Sequence, residues 1–146
     1  MVAVCGAGTC SPDVSELARK TGELLARHGA NLICGGLGGV MAAAAQGAKA
    51  AGGLTIGILP GTDRQDANPF IDLALPTGLG EARNALIVRA AQAVIALPGE
   101  TGTLSEVALG LKMGRPVVGL AAWGEINGVL PASDPDEAVR LALSRV

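Results

Sequence analysis

The sequence has almost no aromatic residues: it contains one Phe, one Trp and no Tyr. Proteins that hold single-stranded nucleic acid stack its bases on several aromatic side chains, so this scarcity argues against a nucleic-acid partner. The formal net charge is -2 and Lys and Arg do not cluster, so no positive stripe is available to neutralise a polyanion. No hydrophobic run is long enough to span a bilayer and no secretory leader is recognisable, so we expect a cytoplasmic protein with no membrane partner.

Paired metal-binding cysteines are lacking as well. The three cysteines, Cys5, Cys10 and Cys34, do not have the spacing of a zinc site. Cys5 and Cys34 fall in apolar, strand-like segments, where small buried side chains are common. Cys10 lies in a glycine-containing loop and is interpreted as a packing residue, with an accessible thiol as the alternative. We expect no metal site and no covalently bound cofactor.

Small and aliphatic residues are abundant instead, since 49% of the 146 residues are hydrophobic and 22 are glycine. Short apolar segments alternate with segments of helical period, a pattern typical of a mostly parallel sheet covered by helices on both faces. We predict a single Rossmann-like, doubly wound α/β domain over residues 1–146, with about six or seven strands. Strands are predicted at 2–5, 31–34, 54–59, 71–75, 93–97 and 117–120, and helices at 12–28, 40–51, 81–91, 103–113 and 134–145.

Three glycine-bearing turns follow predicted strands, and two of them lead directly into helices. The carboxyl ends of parallel strands share one edge of the sheet, and ligands of such folds bind there, where the strand order reverses. Backbone amides of a glycine turn at a helix N-terminus attract anions. We therefore predict a site for a small phosphorylated ligand. The candidate ligand-binding residues of these turns are Gly6, Gly8, Thr9, Gly35, Gly36, Gly38, Gly39, Met41, Pro98, Gly99, Thr101, Gly102 and Thr103.

Arg83 is the cationic candidate for the same site. It falls in the first turn of the helix predicted over 81–91, where the helix dipole disfavours a cation by a few tenths to about 1 kcal/mol. This placement indicates a compensating partner. We interpret Arg83 as an anion clamp or an electrophilic group over the ligand. An exposed arginine, or one paired with Glu81, is the alternative.

Two glutamates accompany the third turn. Glu106 completes the sequence Thr-Leu-Ser-Glu, which predicts a capping box with Thr103 as N-cap, and a direct role in the site is the alternative. Glu100 places a carboxylate in the turn itself. A negative charge 4 Å from a phosphate costs about 1 kcal/mol in a water-like medium and about 4 kcal/mol at an effective dielectric constant of 20. Tight phosphate binding at this turn therefore requires the Glu100 carboxylate to point away.

These segments together resemble a known family. Residues 35–41, Arg83 and residues 98–106 are similar to the motifs of the LOG-like Rossmann superfamily, long labelled lysine decarboxylases. Residues 57–64, 67–69 and 80–84 resemble the subgroup that includes molybdenum cofactor carrier proteins. The resemblance covers most of the chain. Decarboxylation itself is not expected, because Lys20, Lys49 and Lys112 fall on predicted helices outside any cofactor-linking context.

The resemblance implies one of two main functions. Carrier proteins of the subgroup bind and protect a phosphorylated pterin. LOG enzymes instead split nucleoside 5′-monophosphates carrying a modified adenine into the base and ribose 5-phosphate, using an arginine and a glutamate that correspond to Arg83 and Glu106. The family's Arg-Lys pair becomes Arg83-Asn84 in this sequence, and its Pro-Gly-Gly ends in Glu100.

From these departures we predict a binding or carrier protein for molybdenum cofactor or a nucleotide. A phosphoribohydrolase and a nucleotide-sensing module are the alternatives. Because family members associate through helices near the two main motifs, the resemblance also implies a homo-oligomer, either a dimer or a tetramer.

Overall fold

Strands and helices alternate along the chain. The strands are β1 (Val2–Cys5), β2 (Leu32–Cys34), β3 (Thr55–Leu59), β4 (Leu73–Pro76), β5 (Ala93–Ala96), β6 (Val117–Leu120) and β7 (Leu130–Ala132). The helices are α1 (Pro12–Arg27), α2 (Val40–Ala50), α3 (Asn84–Ala90), α4 (Thr101–Lys112) and α5 (Pro135–Leu143), with 3₁₀ turns at Arg64–Asp66 and Gly80–Arg83. This computed structural model describes all 146 residues.

The seven strands form one sheet in the order β4-β3-β2-β1-β5-β6-β7, and every neighbouring pair is parallel. The chain adds β2, β3 and β4 outward on one side of β1, then returns to place β5, β6 and β7 on the other side. The strand order therefore reverses between β1 and β5. The predicted doubly wound, mostly parallel sheet is confirmed.

Helices cover both faces of the sheet and bury two separate hydrophobic cores. In β1, Val2 and Val4 belong to the core that includes α1, α2 and α5, whereas Ala3 and Cys5 belong to the core that includes α3 and α4. Successive strand residues point to opposite faces, so a strand buried on both faces needs an unbroken apolar run. All residues of β1 and β5 are buried accordingly.

Two elements differ in kind from the sequence-based expectation. β7 is a strand that the sequence did not predict, because it is only three residues long and has Pro131 at its centre. Proline lacks an amide donor and is tolerated at a sheet edge, which is where β7 lies. The helix predicted over 81–91 begins as a 3₁₀ turn that ends at Arg83 and continues as α3. None of the helices has both the length and the apolar character needed to cross a membrane.

Candidate functional site

A cavity of about 400 Å³ opens at the carboxyl ends of β1 and β5. This is the point of strand-order reversal at which doubly wound sheets bind ligands. Its volume falls within the range of roughly 300–1,000 Å³ that is common for small-molecule sites. The lining residues are Cys5, Gly6, Ala7, Gly8, Thr9, Met41, Arg83, Asn84, Glu100, Gly102, Thr103 and Glu106.

Backbone hydrogen bonds hold the three glycine turns together around this cavity. The Ala7 amide donates to the Pro98 carbonyl at 3.0 Å, and the Val40 amide donates to the Ala7 carbonyl at 3.0 Å. The second contact depends on Gly39, which has a φ of +60° and whose added Cβ would lie 2.3 Å from the Ala7 oxygen. Only glycine satisfies both conditions. The turns therefore form one connected rim.

The N-terminus of α4 presents unpaired amides to the cavity. The amides of Thr101, Gly102 and Thr103 donate to no protein acceptor. Glu100 occupies the N-cap position, but its side chain makes no capping hydrogen bond. Helix N-termini left in this state bind anions through their amides and dipole. The third glycine turn thus has the geometry of an anion site.

Arg83 is the only cationic side chain that lines the cavity, and it is 9% exposed. Its Nη1 donates to Asn84 Oδ1 and its Nη2 lies 3.4 Å from the Gly35 carbonyl oxygen, but its Nε is buried without a partner. No carboxylate lies within 4.0 Å of the guanidinium, so Arg83 is not paired with Glu81. Its burial excludes the alternative of an exposed arginine. A buried cation without an ion partner is costly, which suits a site that receives an anion.

Asn84 connects Arg83 to the N-terminal end of α4. While its Oδ1 accepts from Arg83, its Nδ2 donates to Ser105 Oγ at 3.0 Å and to the Gly102 carbonyl at 3.4 Å. Ser105 Oγ in turn donates to the Gly102 carbonyl at 2.6 Å. Asn84 therefore fixes the guanidinium relative to α4. The sequence comparison marked this residue only as a departure from the family pair and did not place it in the site.

Glu106 lies inside α4 and faces the cavity, so the predicted capping box with Thr103 is wrong. The helix begins at Thr101, two residues before the predicted start, and its N-cap position is Glu100. Glu106 is only 7% exposed. Burial raises its pKa to about 7, against the lowering effects of the Cys5 thiol and the Arg83 guanidinium. A carboxyl group that titrates near neutral pH therefore lies in the same cavity as Arg83.

Glu100 lies at the cavity rim and is exposed to solvent. The residue therefore stays at the site, although tight phosphate binding there requires its carboxylate to point away. Its charge is nevertheless in contact with water, which screens it more strongly than it screens the buried Arg83 and Glu106. Glu100 adds a solvated negative charge at the entrance.

The structure brings only part of the predicted set to the cavity. Gly6, Gly8, Thr9, Met41, Arg83, Gly102, Thr103 and Glu106 line it, whereas Gly35, Gly36, Gly38, Gly39, Pro98, Gly99 and Thr101 do not. Gly35 and Gly99 of the second group lie directly behind lining side chains. An added Cβ at Gly35 would meet Arg83 Nη2 at 2.7 Å, and one at Gly99 would meet Thr103 Oγ1 at 2.1 Å. These two glycines make room for side chains that reach the cavity.

Cys5 and Ala7 were not among the predicted ligand-binding residues, yet both line the cavity. The prediction of Cys5 as a core residue is confirmed, since it is 1% exposed. Its position as the last residue of β1 was the signal that it also reaches the ligand edge of the sheet. Burial raises the pKa of its thiol well above the ordinary value, with a further contribution from Glu106, so the thiol stays protonated.

A doubly wound parallel sheet with a buried arginine and glutamate beside a helix N-terminus with unpaired amides defines a Rossmann-like protein of the LOG type. The chain belongs to the SLOG cluster4 family, whose family model matches residues 1–143. The resemblance stated from the sequence is confirmed.

Two solved structures with high similarity to this chain are of proteins named for binding or carrying molybdenum cofactor. One is the molybdenum cofactor binding protein of the phototrophic bacterium Rippkaea orientalis, with a TM-score of 0.90 and 40% identity over 98% of this chain and 93% of that chain. The other is the molybdenum cofactor carrier protein of Chlamydomonas reinhardtii, with a TM-score of 0.88 and 32% identity over 99% of this chain and 96% of that chain.

The chain is also similar to a curated enzyme. It is 33% identical over 136 residues to a cytokinin riboside 5′-monophosphate phosphoribohydrolase of Mycobacterium marinum, covering 86% of this chain and 72% of the relative. The chain is therefore similar both to molybdenum cofactor binding proteins and to a hydrolase.

Proposed function

We propose that this protein binds and carries a phosphorylated pterin of the molybdenum cofactor type. The observation that carries the proposal is the buried Arg83 guanidinium, which lacks an ion partner and has an unpartnered Nε. It lines the same cavity as the free amides at the start of α4. A phosphate would supply a negative charge for Arg83 and acceptors for the free amides, because it accepts several charge-assisted hydrogen bonds at once.

The remaining lining residues fit such a ligand. The phosphate would lie against the amides of Gly102 and Thr103, with Arg83 held toward it by Asn84. Because the pKa of Glu106 is about 7, its carboxyl is largely neutral below that pH and opposes an anion only weakly. The likeness to two proteins named for molybdenum cofactor binding or carriage supports the pterin as the organic part of the ligand.

The test is a titration of the purified protein with molybdopterin released from a molybdoenzyme, followed by thermal shift and by equilibrium dialysis. Saturable binding is expected in the wild type and a loss of at least about tenfold in affinity in Arg83→Met, since a charge-assisted hydrogen bond is worth about 1.5–3 kcal/mol. Lys112→Met is the matched control, because it removes the same charge from the exposed end of α4. Absence of any binding by the wild type would refute the proposal.

A phosphoribohydrolase is the second candidate, and the position of Glu106 favours it. A carboxyl group with a pKa near the working pH is suited to proton transfer, and an ionised carboxylate stabilises the positive charge that develops on ribose as a base departs. Incubation with AMP and with modified-adenine monophosphates, followed by an assay for ribose 5-phosphate, tests this activity. Release by the wild type and not by Glu106→Gln would establish it. Nucleotide binding with neither turnover nor pterin affinity would instead favour the sensing module.

We also infer a homo-oligomer. Leu86 of α3 and Leu104 of α4 are 44% and 41% exposed, and both helices adjoin the site. Apolar side chains on neighbouring helices support a contact between copies of the chain. Sedimentation equilibrium of the wild type tests this inference, with a dimer or tetramer as the expected species and a monomer as the contrary result. The expected cytoplasmic location stays a prediction.

A further inference from the structure

A second groove lies beside the site cavity, on the other side of the loop that follows β1. Its volume is about 390 Å³, close to that of the cavity itself. Gly8 and Thr9 line both spaces, so the loop is a shared ridge between them. The groove therefore adjoins the candidate site across this ridge.

The chemistry of the groove differs from that of the cavity. Its lining contains no charged side chain, whereas Arg83, Glu100 and Glu106 line the cavity. The groove contributes instead one aromatic ring, from Phe70, and one exposed amide, from Gln46 of α2. A ring to stack on and an amide that both donates and accepts hydrogen bonds suit a neutral heteroaromatic base rather than a second anion.

Phe70 is held in place by its neighbours. Its carbonyl accepts from Thr55 Oγ1 at 2.6 Å and its amide donates to Asn68 Oδ1 at 3.0 Å. Asn68 Nδ2 donates in turn to the Leu37 carbonyl at 2.8 Å, within the second glycine turn. The backbone of Phe70 is therefore tied to β3 and to the rim of the site, so the groove is formed before a ligand arrives.

The ridge between the two spaces is suited to a phosphate link. Gly8 and Thr9 are exposed, and their backbone amides donate to no protein acceptor. Gly8 has no side chain to obstruct a chain of atoms crossing the loop, and an added Cβ there would meet nothing within 4 Å. A second phosphate lying over these amides would join a phosphate in the cavity to a base in the groove through a pyrophosphate.

We propose that the groove is a nucleobase subsite, so that the preferred ligand is a phosphorylated pterin joined through a pyrophosphate to a nucleoside. The cavity holds the pterin and the phosphate attached to it, the ridge at Gly8 and Thr9 carries the second phosphate of the pyrophosphate, and Phe70 and Gln46 receive the base. This inference rests on the proposed function, because it assigns the ligand class of the same site.

The test compares two probes, molybdopterin and molybdopterin cytosine dinucleotide, by equilibrium titration. Stacking of a base on an aromatic ring contributes about 1–3 kcal/mol, so the dinucleotide should bind the wild type at least about fivefold more tightly. Phe70→Leu keeps an apolar side chain but removes the ring, and Gln46→Met removes the amide from an exposed helix position. Each should weaken dinucleotide binding by about fivefold and leave molybdopterin binding within about twofold.

Gln65→Met is the matched control, since Gln65 is exposed and lines neither space. Equal affinities of the wild type for the two probes, or dinucleotide binding that neither groove variant alters, would overturn the nucleobase subsite while the carrier function stands. If neither probe binds the wild type, both the carrier function and the subsite are refuted. Because Gln46 is exposed, its variant keeps the test decisive even if Phe70→Leu does not fold.

Discussion

Replacing Arg83 with methionine should lower ligand affinity sharply while leaving the stability of the protein nearly unchanged. In the unliganded protein the guanidinium has two hydrogen bonds, to Asn84 and, at a long 3.4 Å, to Gly35. Their loss costs about 1–2 kcal/mol, because each net hydrogen bond contributes about 1 kcal/mol. The same substitution removes a buried cation that has no ion partner, which offsets this cost.

We therefore expect the free energy of unfolding to change by less than about 1 kcal/mol, measured by urea denaturation followed by circular dichroism. Loss of the charge-assisted hydrogen bonds to a phosphate should weaken molybdopterin binding by roughly 10- to 150-fold, equivalent to about 1.5–3 kcal/mol. Affinity that stays within twofold of the wild type would refute the role assigned to Arg83. So would a loss of affinity that is accompanied by an equally large loss of stability.

Three further predictions test other parts of the site. Burial raises the pKa of Glu106 from an ordinary 4.5 to about 7, so its protonated form is favoured in the folded state. The free energy of unfolding of the wild type should therefore fall by on the order of 3 kcal/mol as pH rises from about 4.5 to 7. Glu106→Gln should abolish most of that loss, measured by urea titrations across this pH range. Glu100→Gln removes a solvated negative charge from the rim, so it should raise phosphate affinity roughly two- to fivefold at low salt and less in 0.5 M NaCl, measured by calorimetric titration. Unchanged affinity at low salt would show that the Glu100 charge does not oppose phosphate binding. Gly39→Ala should lower the free energy of unfolding, measured by urea denaturation, by more than about 2 kcal/mol. Gly52 also has a positive φ but has open space around it, so Gly52→Ala should lower it by only about 1 kcal/mol. Equal losses in the two variants would contradict the close backbone approach described at Gly39.

The sheet was predictable from the sequence because its central strands are buried on both faces. β1 and β5 need apolar residues at every position, and such runs stand out between glycine turns. β7 did not stand out, since a three-residue edge strand containing Pro131 lacks this signal. The sequence predicts strands that pack on both sides far better than strands that complete an edge.

The composition of the site was less predictable than its location. The glycine turns and Arg83 pointed to the edge of the sheet at which the cavity opens. The pattern Thr-Leu-Ser-Glu matches a capping box, and local pattern alone favoured that box over the true start of α4. That Glu106 is buried follows from packing of α4 near Cys5 and Arg83, which come from distant parts of the chain. Contacts of this kind are set by tertiary structure and leave no local trace.

Mass spectrometry of the small molecule retained after gentle purification tests most directly whether the site carries a phosphorylated pterin. The expected result is a phosphorylated pterin that becomes fluorescent on oxidation, retained by the wild type and by Lys112→Met but not by Arg83→Met. A wild-type protein that retains no pterin, and that releases ribose 5-phosphate from AMP or a modified-adenine monophosphate, would contradict the carrier function and establish the hydrolase in its place.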